Sequence, residues 1–336
     1  MEIKAVVPMR IDLAGGTLDV YPLYIFEGGG LTVNAAIDIC ATATVRTRDD
    51  ARITILSTDQ RHAEEHASLD ALDFGAGLTL VKRALAYYRP QTGLDITVSS
   101  AAPTGSGIGA SSALLMALSH CLNTLTGRGL SVAQIIDIGA NIEAQVIGIP
   151  TGKQDYFPPN FGGVGAIWFG LDGWQHESLS AGNDLIELLN ERLVVSYAGI
   201  PHSSAATNWA MLKAYIEKQS DSAARMGEIK AISAAMRDCL ARRDMVEFPR
   251  LVDAEWRLRR GLAEGVTNPE IDAIMDAAAR AGAQASKICG AGGGGCMITV
   301  AEPRHVQTVR HALADAGAQV LDAHLVANGI DATVID

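Results

Sequence analysis

The sequence has 336 residues, of which 48% are hydrophobic and 19% are charged; this predicts a folded protein of one large or two ordinary domains and excludes a disordered chain. The formal net charge of −11 argues against nucleic acid as a partner, because binding a phosphate backbone needs clustered Lys and Arg. The N-terminus has no signal-peptide pattern, no apolar run reaches the ~20 residues of a membrane span, and none of the five cysteines forms a Cys-x-x-Cys pair. We therefore expect a cytoplasmic protein with reduced thiols and no membrane partner.

The N-terminal third of the chain is predicted to be rich in strands. Alternating or β-branched runs cover residues 3–13, 31–45, 51–57 and 94–99. Before the last of these, apolar residues at 78, 81, 85 and 88 have the spacing of one helix face.

A glycine-rich stretch then runs from Pro103 to Ala113, with the sequence Pro-Thr-Gly-Ser-Gly-Ile-Gly-Ala-Ser-Ser-Ala. It lies between the predicted strand 94–99 and a run of strong helix formers at 114–118. A strand, a glycine loop and a helix in this order present free backbone N–H groups to an anion at the helix N-terminus. Ser111 and Ser112 add hydroxyls that could cap the helix, bind a phosphate or ligate Mg2+. Taken alone, the stretch fits a capped turn as well as a phosphate site.

The rest of the chain mixes helices and strands without strict βαβ alternation, which indicates an α+β protein. A helix is predicted from Ser131 to residue 147, followed by an irregular segment at 153–163 and a strand at 165–169. A domain boundary is expected near residues 170–190, where residues 171–183 are polar and turn-rich. Further strands are predicted at 193–197, 296–300 and 323–326, and helices through most of 205–265, from Asn268 to about Gly282 and at 304–316.

Three segments, in family order, resemble the GHMP kinases, the galacto-, homoserine, mevalonate and phosphomevalonate kinases. They are Val7–Asp19, the glycine loop 103–113, and Lys287–Cys296 with the sequence Lys-Ile-Cys-Gly-Ala-Gly-Gly-Gly-Gly-Cys. The loop lacks the Gly-Lys-Ser/Thr of a Walker A motif. No Gly-x-Gly-x-x-Gly with an acid ~20 residues further on follows the first strand, which argues against a dinucleotide-binding oxidoreductase.

The resemblance implies a two-domain GHMP kinase fold of the α+β class. An N-terminal phosphate-loop domain would cover residues 1–175, and a C-terminal ferredoxin-like domain would cover residues 176–336. ATP and the substrate would then meet in the cleft between the two domains.

The resemblance assigns ATP to the glycine loop and Mg2+ to oxygen ligands beside it. Ser111 is the metal ligand that the family pattern favours, with Ser112 as its rival, and Glu143 is the candidate carboxylate, since Mg2+ normally adds carboxylate, phosphate and water oxygens. Without the resemblance, Glu143 is an ordinary solvated helix residue. The expected ATP-binding residues are Pro103, Gly105, Ser106, Gly107, Ile108, Gly109, Ala110, Ser111 and Ser112.

Two residues are the candidates for catalysis. Asp155, in Thr-Gly-Lys-Gln-Asp, resembles the catalytic aspartate of the sugar-kinase branch and would accept the proton of the attacking hydroxyl. Arg10 occupies the Arg/Lys position of the first motif and would keep the base ionised and shield the transferring phosphoryl group. The alternatives are a turn-capping aspartate and a surface arginine at a strand end.

The substrate candidates follow from the same resemblance. Asp19 stands nine residues after Arg10, where sugar kinases of this family place an acid that binds substrate hydroxyls. Gly-Gly-Thr-Leu-Asp departs from the galactokinase pattern and is closer to the heptose 7-phosphate kinase and fucokinase branch. His202 stands where that branch tends to carry arginine, which argues against a phosphate-bearing substrate. The expected substrate contacts are Gly16, Thr17, Asp19, His202, Gly292 and Gly293.

The predicted function is ATP- and Mg2+-dependent transfer of the γ-phosphoryl group to a hydroxyl of a sugar or sugar phosphate, the anomeric hydroxyl included, by a monomer or homodimer. A mevalonate-type kinase and a non-catalytic regulator that binds sugar and ATP are the alternatives. The presence of both Asp155 and Arg10 argues against the regulator. The sugar and its reacting hydroxyl stay open at this point.

Overall fold

Two β-sheets organise the chain, and the computed structural model describes it over residues 1–199 and 204–335. The strands of the larger sheet are β1 (Glu2–Ala14), β2 (Gly30–Thr47), β3 (Ile53–Ser57), β4 (His62–His66), β5 (Leu94–Ser100), β6 (Val164–Gly170), β7 (Gly173–Ser178) and β12 (Asp331–Ile335). The main path of this sheet is β12-β1-β2-β5-β3-β4, with β6 paired to β2 and β7 paired to β6.

The smaller sheet has four antiparallel strands, β8 (Leu193–Tyr197), β9 (Ala283–Ile288), β10 (Cys296–Ala301) and β11 (Gln319–Val320). Their order in the sheet is β11-β8-β10-β9. In the larger sheet, the β3–β5 pair is parallel while β1, β2, β5 and β6 pair in antiparallel fashion. The predicted α+β class is therefore confirmed, since antiparallel and parallel pairs occur together and the helices do not alternate strictly with the strands.

Eleven α-helices cover the sheets within the described residues. They are α1 (Leu23–Phe26), α2 (Thr79–Tyr88), α3 (Ala110–Thr126), α4 (Val132–Ile147), α5 (Phe157–Phe161), α6 (Asp184–Asn190), α7 (Ser204–Ile216), α8 (Ser222–Ala241), α9 (Glu247–Arg259), α10 (Pro269–Arg280) and α11 (Val306–Asp315).

The longest strand pair of the larger sheet, β1 with β2, is covered by helices on both faces. Helices α3 and α8 both pack on β1 and β2. From Val7 to Ala14 every residue of β1 is buried, so this half of the strand has no solvent-facing side. Charged residues in that half must therefore find partners inside the protein. Helix α9 packs on β9 of the smaller sheet and also reaches β1, so it joins the two sheets.

Two predicted elements differ from the structure. The segment 323–326 is not a strand; it is extended chain that bridges Ile37 through Leu325, and the last strand is β12 instead. All five residues of β12 are exposed, so the apolar alternation that signals a strand is weak there. The segment 153–163 is more regular than predicted, because a 3-10 turn at Gln154–Tyr156 leads directly into α5.

The division into domains at residue 175 stays a prediction. Strand β7 occupies the turn-rich segment where the boundary was expected, and β12 returns from the C-terminus to pair with β1. Within residues 1–199 and 204–335, no helix combines the length and the apolar character that crossing a membrane requires.

Candidate active site

The glycine loop connects β5 to α3, as the sequence predicts, because β5 ends at Ser100 and α3 begins at Ala110. Gly105, Gly107 and Gly109 have φ angles of 69°, 67° and 77°, in the left-handed region that favours glycine. A Cβ at Gly109 would also lie 3.3 Å from the carboxyl carbon of Asp155. The close approach of the loop to that carboxylate therefore requires glycine.

A cleft of about 780 Å3 lies against this loop. Most of the predicted site residues line it: Arg10, Thr17, Asp19, Pro103, Gly105, Ser106, Gly107, Gly109, Ala110, Ser111, Ser112, Glu143 and Asp155. Ile108, an expected ATP contact, does not line the cleft. Its apolar side chain is fully buried in the hydrophobic core, and its carbonyl O accepts a hydrogen bond of 3.1 Å from the backbone N of Arg10.

The structure brings Arg10 of β1 and Asp155 together at the glycine loop. Arg10 Nε and Nη2 both lie 2.7 Å from Asp155 Oδ1, and Arg10 Nη1 donates to the carbonyl O of Gly107 at 2.6 Å. Burial alone would lower the pKa of Arg10, but the carboxylates of Asp155 and Asp12 raise it above its usual value. Arg10 is thus a permanent, nearly buried cation, while Asp155 remains partly open to the cleft.

Glu143 of α4 is buried at the same end of the cleft, so it is not a solvated helix residue. Its Oε2 accepts hydrogen bonds from Ser112 Oγ at 2.7 Å and from the Tyr156 hydroxyl. Burial raises the pKa of Glu143, and the bonds from Tyr156 and Ser112 oppose that rise. Ser111 lies exposed in the same first turn of α3. One carboxylate and two hydroxyls therefore face the cleft beside the phosphate loop.

Asp19 lines the cleft with a buried carboxylate. Its Oδ2 accepts a hydrogen bond of 2.8 Å from the backbone N of Gln154, the residue before Asp155. Burial raises the pKa of Asp19 to about 6, although the Gln154 N–H acts to lower it. A Cβ at Gly152 would collide with the Asp19 carboxylate. The turn that carries Asp155 is therefore fitted closely around Asp19.

Thr17 lines the cleft next to a residue that the sequence analysis did not select. Its Oγ1 donates to Asn208 Oδ1 at 2.9 Å, and Asn208, in α7, also lines the cleft. The backbone of Thr17 has φ of 77°, which is unusual for a β-branched residue. Asn208 could not be found from sequence because a single Asn in a helical segment has no distinguishing pattern.

Four other predicted substrate residues have a different placement. Gly16 lies behind Thr17 and does not line the cleft. In the C-terminal glycine run, Gly292 and Gly293 pack against Val266, whose carbonyl O accepts from Gly293 N at 2.6 Å, so the structure does not bring them to the cleft. The residues of this run that line the cleft are Gly290 and Ala291. His202 lies outside the described residues.

A buried cluster of four charges lies beside the cleft, and the sequence analysis missed it. Lys287 Nζ lies 3.1 Å from both Asp12 Oδ2 and Glu255 Oε2, and Arg259 Nη2 lies 2.5 Å from Glu255 Oε1. All four side chains are fully buried. Burial would raise the pKa of Glu255, but the cations of Arg259 and Lys287 lower it below its usual value. The one available signal, an acid and a base four residues apart on a helix, is typical of solvated helix faces.

A second group of lining residues was also missed by the sequence analysis. Ser57, Asp59 and Gln60, which follow or end β3, line the cleft together with residues 78–81 at the start of α2. Ser57 Oγ donates to Asp59 Oδ1 at 2.8 Å. These residues come from two distant segments without a motif, so only the fold shows that they share a surface.

Two sequence profiles of one family match the chain. The profile described as GHMP kinases N terminal domain matches residues 79–163, and the profile described as GHMP kinases C terminal matches residues 236–319. The chain belongs to the GHMP kinases. The N-terminal profile covers the glycine loop, Glu143 and Asp155, and the C-terminal profile covers the second glycine run and three members of the charge cluster, Glu255, Arg259 and Lys287.

This GHMP kinase is similar over most of its length to proteins of several activities. It is 25% identical over 334 residues to a D-glycero-alpha-D-manno-heptose 7-phosphate kinase of Campylobacter jejuni, covering 98% of both chains. It is 30% identical over 269 residues to a mevalonate kinase of Methanothermobacter thermautotrophicus, covering 79% of this chain and 82% of that protein. Its fold matches a crystal structure of a D-glycero-D-manno-heptose 1-phosphate kinase from Bacteroides thetaiotaomicron, with a TM-score of 0.81, 24% identity and 99% of both chains covered.

Membership of this family makes the chain a phosphotransferase that uses ATP as a substrate. Phosphoryl transfer requires positioning and neutralisation of phosphate charge more than covalent work by the protein. The glycine loop at the start of α3, with Arg10 and Asp155 beside it, has the residue types that this chemistry needs.

Proposed function

We propose that this GHMP kinase transfers the γ-phosphoryl group of ATP to a hydroxyl of a sugar or sugar phosphate. The observation that carries the proposal is the ion pair between Arg10 and Asp155 in a cleft that also holds the buried carboxylate of Asp19, next to the turn that carries Asp155. In this proposal, the Asp155 carboxylate takes the proton of the acceptor hydroxyl. The Asp19 carboxylate binds the neighbouring hydroxyls of the acceptor.

The donor half of the reaction is assigned to the glycine loop. The backbone N–H groups from Gly107 to Ser112, at the N-terminus of α3, would hold the β- and γ-phosphates. Pro103 lines the same surface. Ser106 supports this assignment, because its buried Oγ has no hydrogen-bond partner within the described chain, as expected of a group that awaits a ligand.

Asp155 is proposed as the general base and Arg10 as the cation beside it. The acceptor hydroxyl would transfer its proton to the Asp155 carboxylate as its oxygen bonds to phosphorus and the β,γ-bridging bond of ATP breaks, which releases ADP. Arg10 holds the Asp155 carboxylate in place and lies within 2.6 Å of the loop carbonyl of Gly107. It therefore brings positive charge to the point where the phosphoryl group would pass.

The oxygen groups near the loop fit Mg2+. Within residues 1–199 and 204–335, no group of three or more His, Cys, Asp and Glu could hold a metal by itself. Mg2+ is usually held by one or two carboxylates together with substrate phosphates, and Glu143 with Ser111 or Ser112 provides such a partial set. Bound there, Mg2+ would neutralise the charge that develops on the phosphates.

The charges of the cleft support a neutral polyhydroxyl acceptor. Asp19 and Asp155 present carboxylates, Thr17 a hydroxyl and Asn208 an amide. Among the described residues that line the cleft, Arg10 is the sole Lys or Arg, and it is paired with Asp155. Gly16 is proposed to support Thr17, its neighbour in the chain. His202 remains a proposed acceptor contact. Gly292 and Gly293 also remain proposed contacts, in an arrangement that brings their turn closer to the acceptor.

A mevalonate-type acceptor is the second candidate, supported by the 30% identity to a mevalonate kinase. The carboxylate of an isoprenoid acid would meet Asp19 and Asp155 with no additional Lys or Arg among the described lining residues. Carboxylates gathered in one cleft repel each other unless a cation lies between them. The sugar hydroxyl is therefore the better acceptor.

The proposal extends to the setting of the enzyme. We place it in the cytoplasm as a monomer or homodimer, with a phosphate-loop domain at residues 1–175 and a second domain at residues 176–336.

The test is ADP release with ATP and Mg2+ across a panel of free hexoses, deoxyhexoses, heptose 7-phosphate, mevalonate and homoserine, with wild type and Asp155→Asn. Turnover on a sugar or sugar phosphate that the variant loses is the expected result. Turnover on mevalonate alone would replace the sugar by the isoprenoid acid. ATP binding without turnover on any acceptor would favour a regulator that binds sugar and ATP.

A further inference from the structure

We propose that Arg259 is a positioning residue that holds the acceptor loop, Gly16–Thr17, in register with the glycine turn at Gly290 and so with the phosphate loop. The inference rests on the proposed function, because it assigns Thr17 to the acceptor side of the cleft. Arg259 is the last residue of α9 and is fully buried, so it does not contact a ligand in the cleft.

The guanidinium of Arg259 joins three separate segments. Its Nη2 donates to the carbonyl O of Gly16 at 2.7 Å, and its Nη1 lies 3.4 Å from Thr17 Oγ1 and 3.3 Å from the carbonyl O of Gly290. Its Nε donates to Glu255 Oε1 at 2.8 Å, which fixes the plane of the group. One planar group thus sets the spacing between an acceptor-side loop and the glycine turn that connects β9 to β10 in the smaller sheet.

The contact at Gly290 extends the connection to the phosphate loop. A Cβ at Gly290 would lie 3.3 Å from the carbonyl O of Gly107 and 3.5 Å from Arg10 Nη2. On the other side of the cluster, Lys287 pairs with Asp12, which is two residues from Arg10 on β1. Displacement of Arg259 would therefore move the acceptor loop relative to both Arg10 and the phosphate loop.

The backbone of Thr17 needs such support. Its φ of 77° lies in the left-handed region, which is costly for a β-branched residue and persists only where the surroundings hold it. The Thr17 hydroxyl is held between Arg259 Nη1 and Asn208 Oδ1, and the preceding carbonyl is held by Arg259 Nη2. Arg259 thus contributes to keeping the cleft-lining side chain of Thr17 in one orientation.

The charge balance of the cluster requires a substitution that keeps a positive charge at residue 259. Asp12 and Glu255 oppose Arg259 and Lys287, so the four buried charges sum to zero. A neutral residue at 259 would leave an uncompensated buried carboxylate and endanger folding. Lysine keeps the charge but lacks the planar fork that reaches Gly16, Thr17 and Gly290 together.

The first test compares Arg259→Lys with Arg260→Lys, a control whose arginine is 44% exposed and pairs with Asp272 on the surface. With the acceptor identified from the panel, Arg259→Lys should raise the acceptor KM and lower kcat by about tenfold each, since small misplacement of reacting groups has effects of this order or larger. The Kd for ATP should stay within about twofold, and Arg260→Lys should match wild type. Unchanged acceptor KM and kcat, or an equal weakening of ATP binding, would overturn the assignment.

A second pair of variants tests the support of Arg259 at positions that do not line the cleft. Glu255→Asp keeps the charge but shortens the support of the guanidinium, and Asp253→Glu is its control, since Asp253 pairs with Arg257 on the exposed face of the same helix. The first should reproduce the rise in acceptor KM, and the second should not. A merely structural role would reduce thermal stability and leave the acceptor KM of the folded enzyme unchanged.

Hydrogen–deuterium exchange tests the positioning independently of turnover. Peptides containing residues 14–19 and 288–292 should both exchange faster in Arg259→Lys than in wild type, and neither should change in Arg260→Lys. If wild type turns over none of the panel but this paired effect is present, the proposed function fails while the positioning role stands. Unaltered exchange in Arg259→Lys would overturn the positioning role whatever the activity.

Discussion

Arg10 Nε donates a hydrogen bond of 2.7 Å to Oδ1 of Asp155, although 145 residues of sequence separate the two. The same guanidinium donates to the phosphate-loop carbonyl of Gly107. Three segments that are remote in the chain thus meet at one cation, which holds the Asp155 carboxylate close to the glycine loop.

Asp155→Asn is expected to lower kcat by about 10²- to 10⁴-fold, the usual contribution of a general base, with ATP binding retained. The amide cannot accept the proton of the hydroxyl, while its size preserves the contact with Arg10. Steady-state rates and an ATP titration measure the two effects. Asp137→Asn is the matched control, because Asp137 is half-exposed and pairs with Lys153. A loss in kcat below about tenfold would argue for substrate-assisted proton removal.

Asp19→Asn is expected to stabilise the protein at neutral pH. Burial raises the pKa of Asp19 to about 6 in the folded protein, against an ordinary value of 3.8. The folded state therefore binds more protons than the unfolded state between these values, and the stability that this group contributes falls as pH rises from about 4 to 6. The total loss is about 3 kcal/mol from a shift of about two pKa units.

Because Asn does not ionise, the variant should exceed wild type in unfolding free energy by up to about 3 kcal/mol at pH 7.5 and by little at pH 4. Urea unfolding at pH 4, 5, 6 and 7.5 measures this difference. The acceptor KM should rise in the same variant, since a charged hydrogen-bond acceptor is lost. A stability difference that does not vary with pH would show that Asp19 titrates normally.

Gly152→Ala should impair acceptor binding and stability together. The new methyl group would collide with the buried carboxylate of Asp19, so either the carboxylate or the turn before Asp155 must move. Overpacking of this kind typically costs about 1–3 kcal/mol. Gly170→Ala is the control, since a Cβ there has no heavy atom within 4 Å. Thermal unfolding and acceptor KM give the result, and equal behaviour of the two variants would contradict the predicted collision.

Glu143→Gln should raise the Mg2+ concentration needed for half-maximal activity by about 10- to 100-fold, the range seen when metal-site partners are lost. The amide keeps the bonds with Ser112 and Tyr156 available but removes the charge that attracts the cation. Glu270→Gln, at an exposed position in the first turn of α10, is the control. An unchanged Mg2+ requirement would remove Glu143 from the metal site.

Substitution of Ser111 and substitution of Ser112 should have different effects in the same Mg2+ titration. Ser112 is buried and donates to Glu143, whereas Ser111 is exposed in the cleft, where its oxygen is accessible to a cation. Ser111→Ala is expected to raise the Mg2+ requirement with little change in unfolding free energy, and Ser112→Ala to lower stability through the loss of a buried hydrogen bond. The opposite pattern would assign the metal to Ser112.

Local patterns in the sequence were sufficient to predict the parts of the site that depend on backbone geometry. The glycines of the loop at 103–113 predicted the strand–loop–helix arrangement, because a left-handed φ leaves few other residue types. At 292–293, where the glycine run also led us to expect substrate contacts, the glycines pack on Val266 and do not line the cleft. Local patterns did not predict strand β12, because its five residues are all exposed and have no buried apolar face.

What the sequence determined by itself is therefore the family, the phosphate loop and the identity of Arg10 and Asp155 as candidates. Only the tertiary structure decided which residues surround them: Asn208 against Thr17, Gly290 against Gly107, and the buried cluster of Asp12, Glu255, Arg259 and Lys287. The physical reason is that a charged residue is expected from sequence to be exposed to solvent, since burying a charge is costly. Whether a partner lies within 3 Å to offset that cost is a property of the packed sheets and helices, and no local pattern records it.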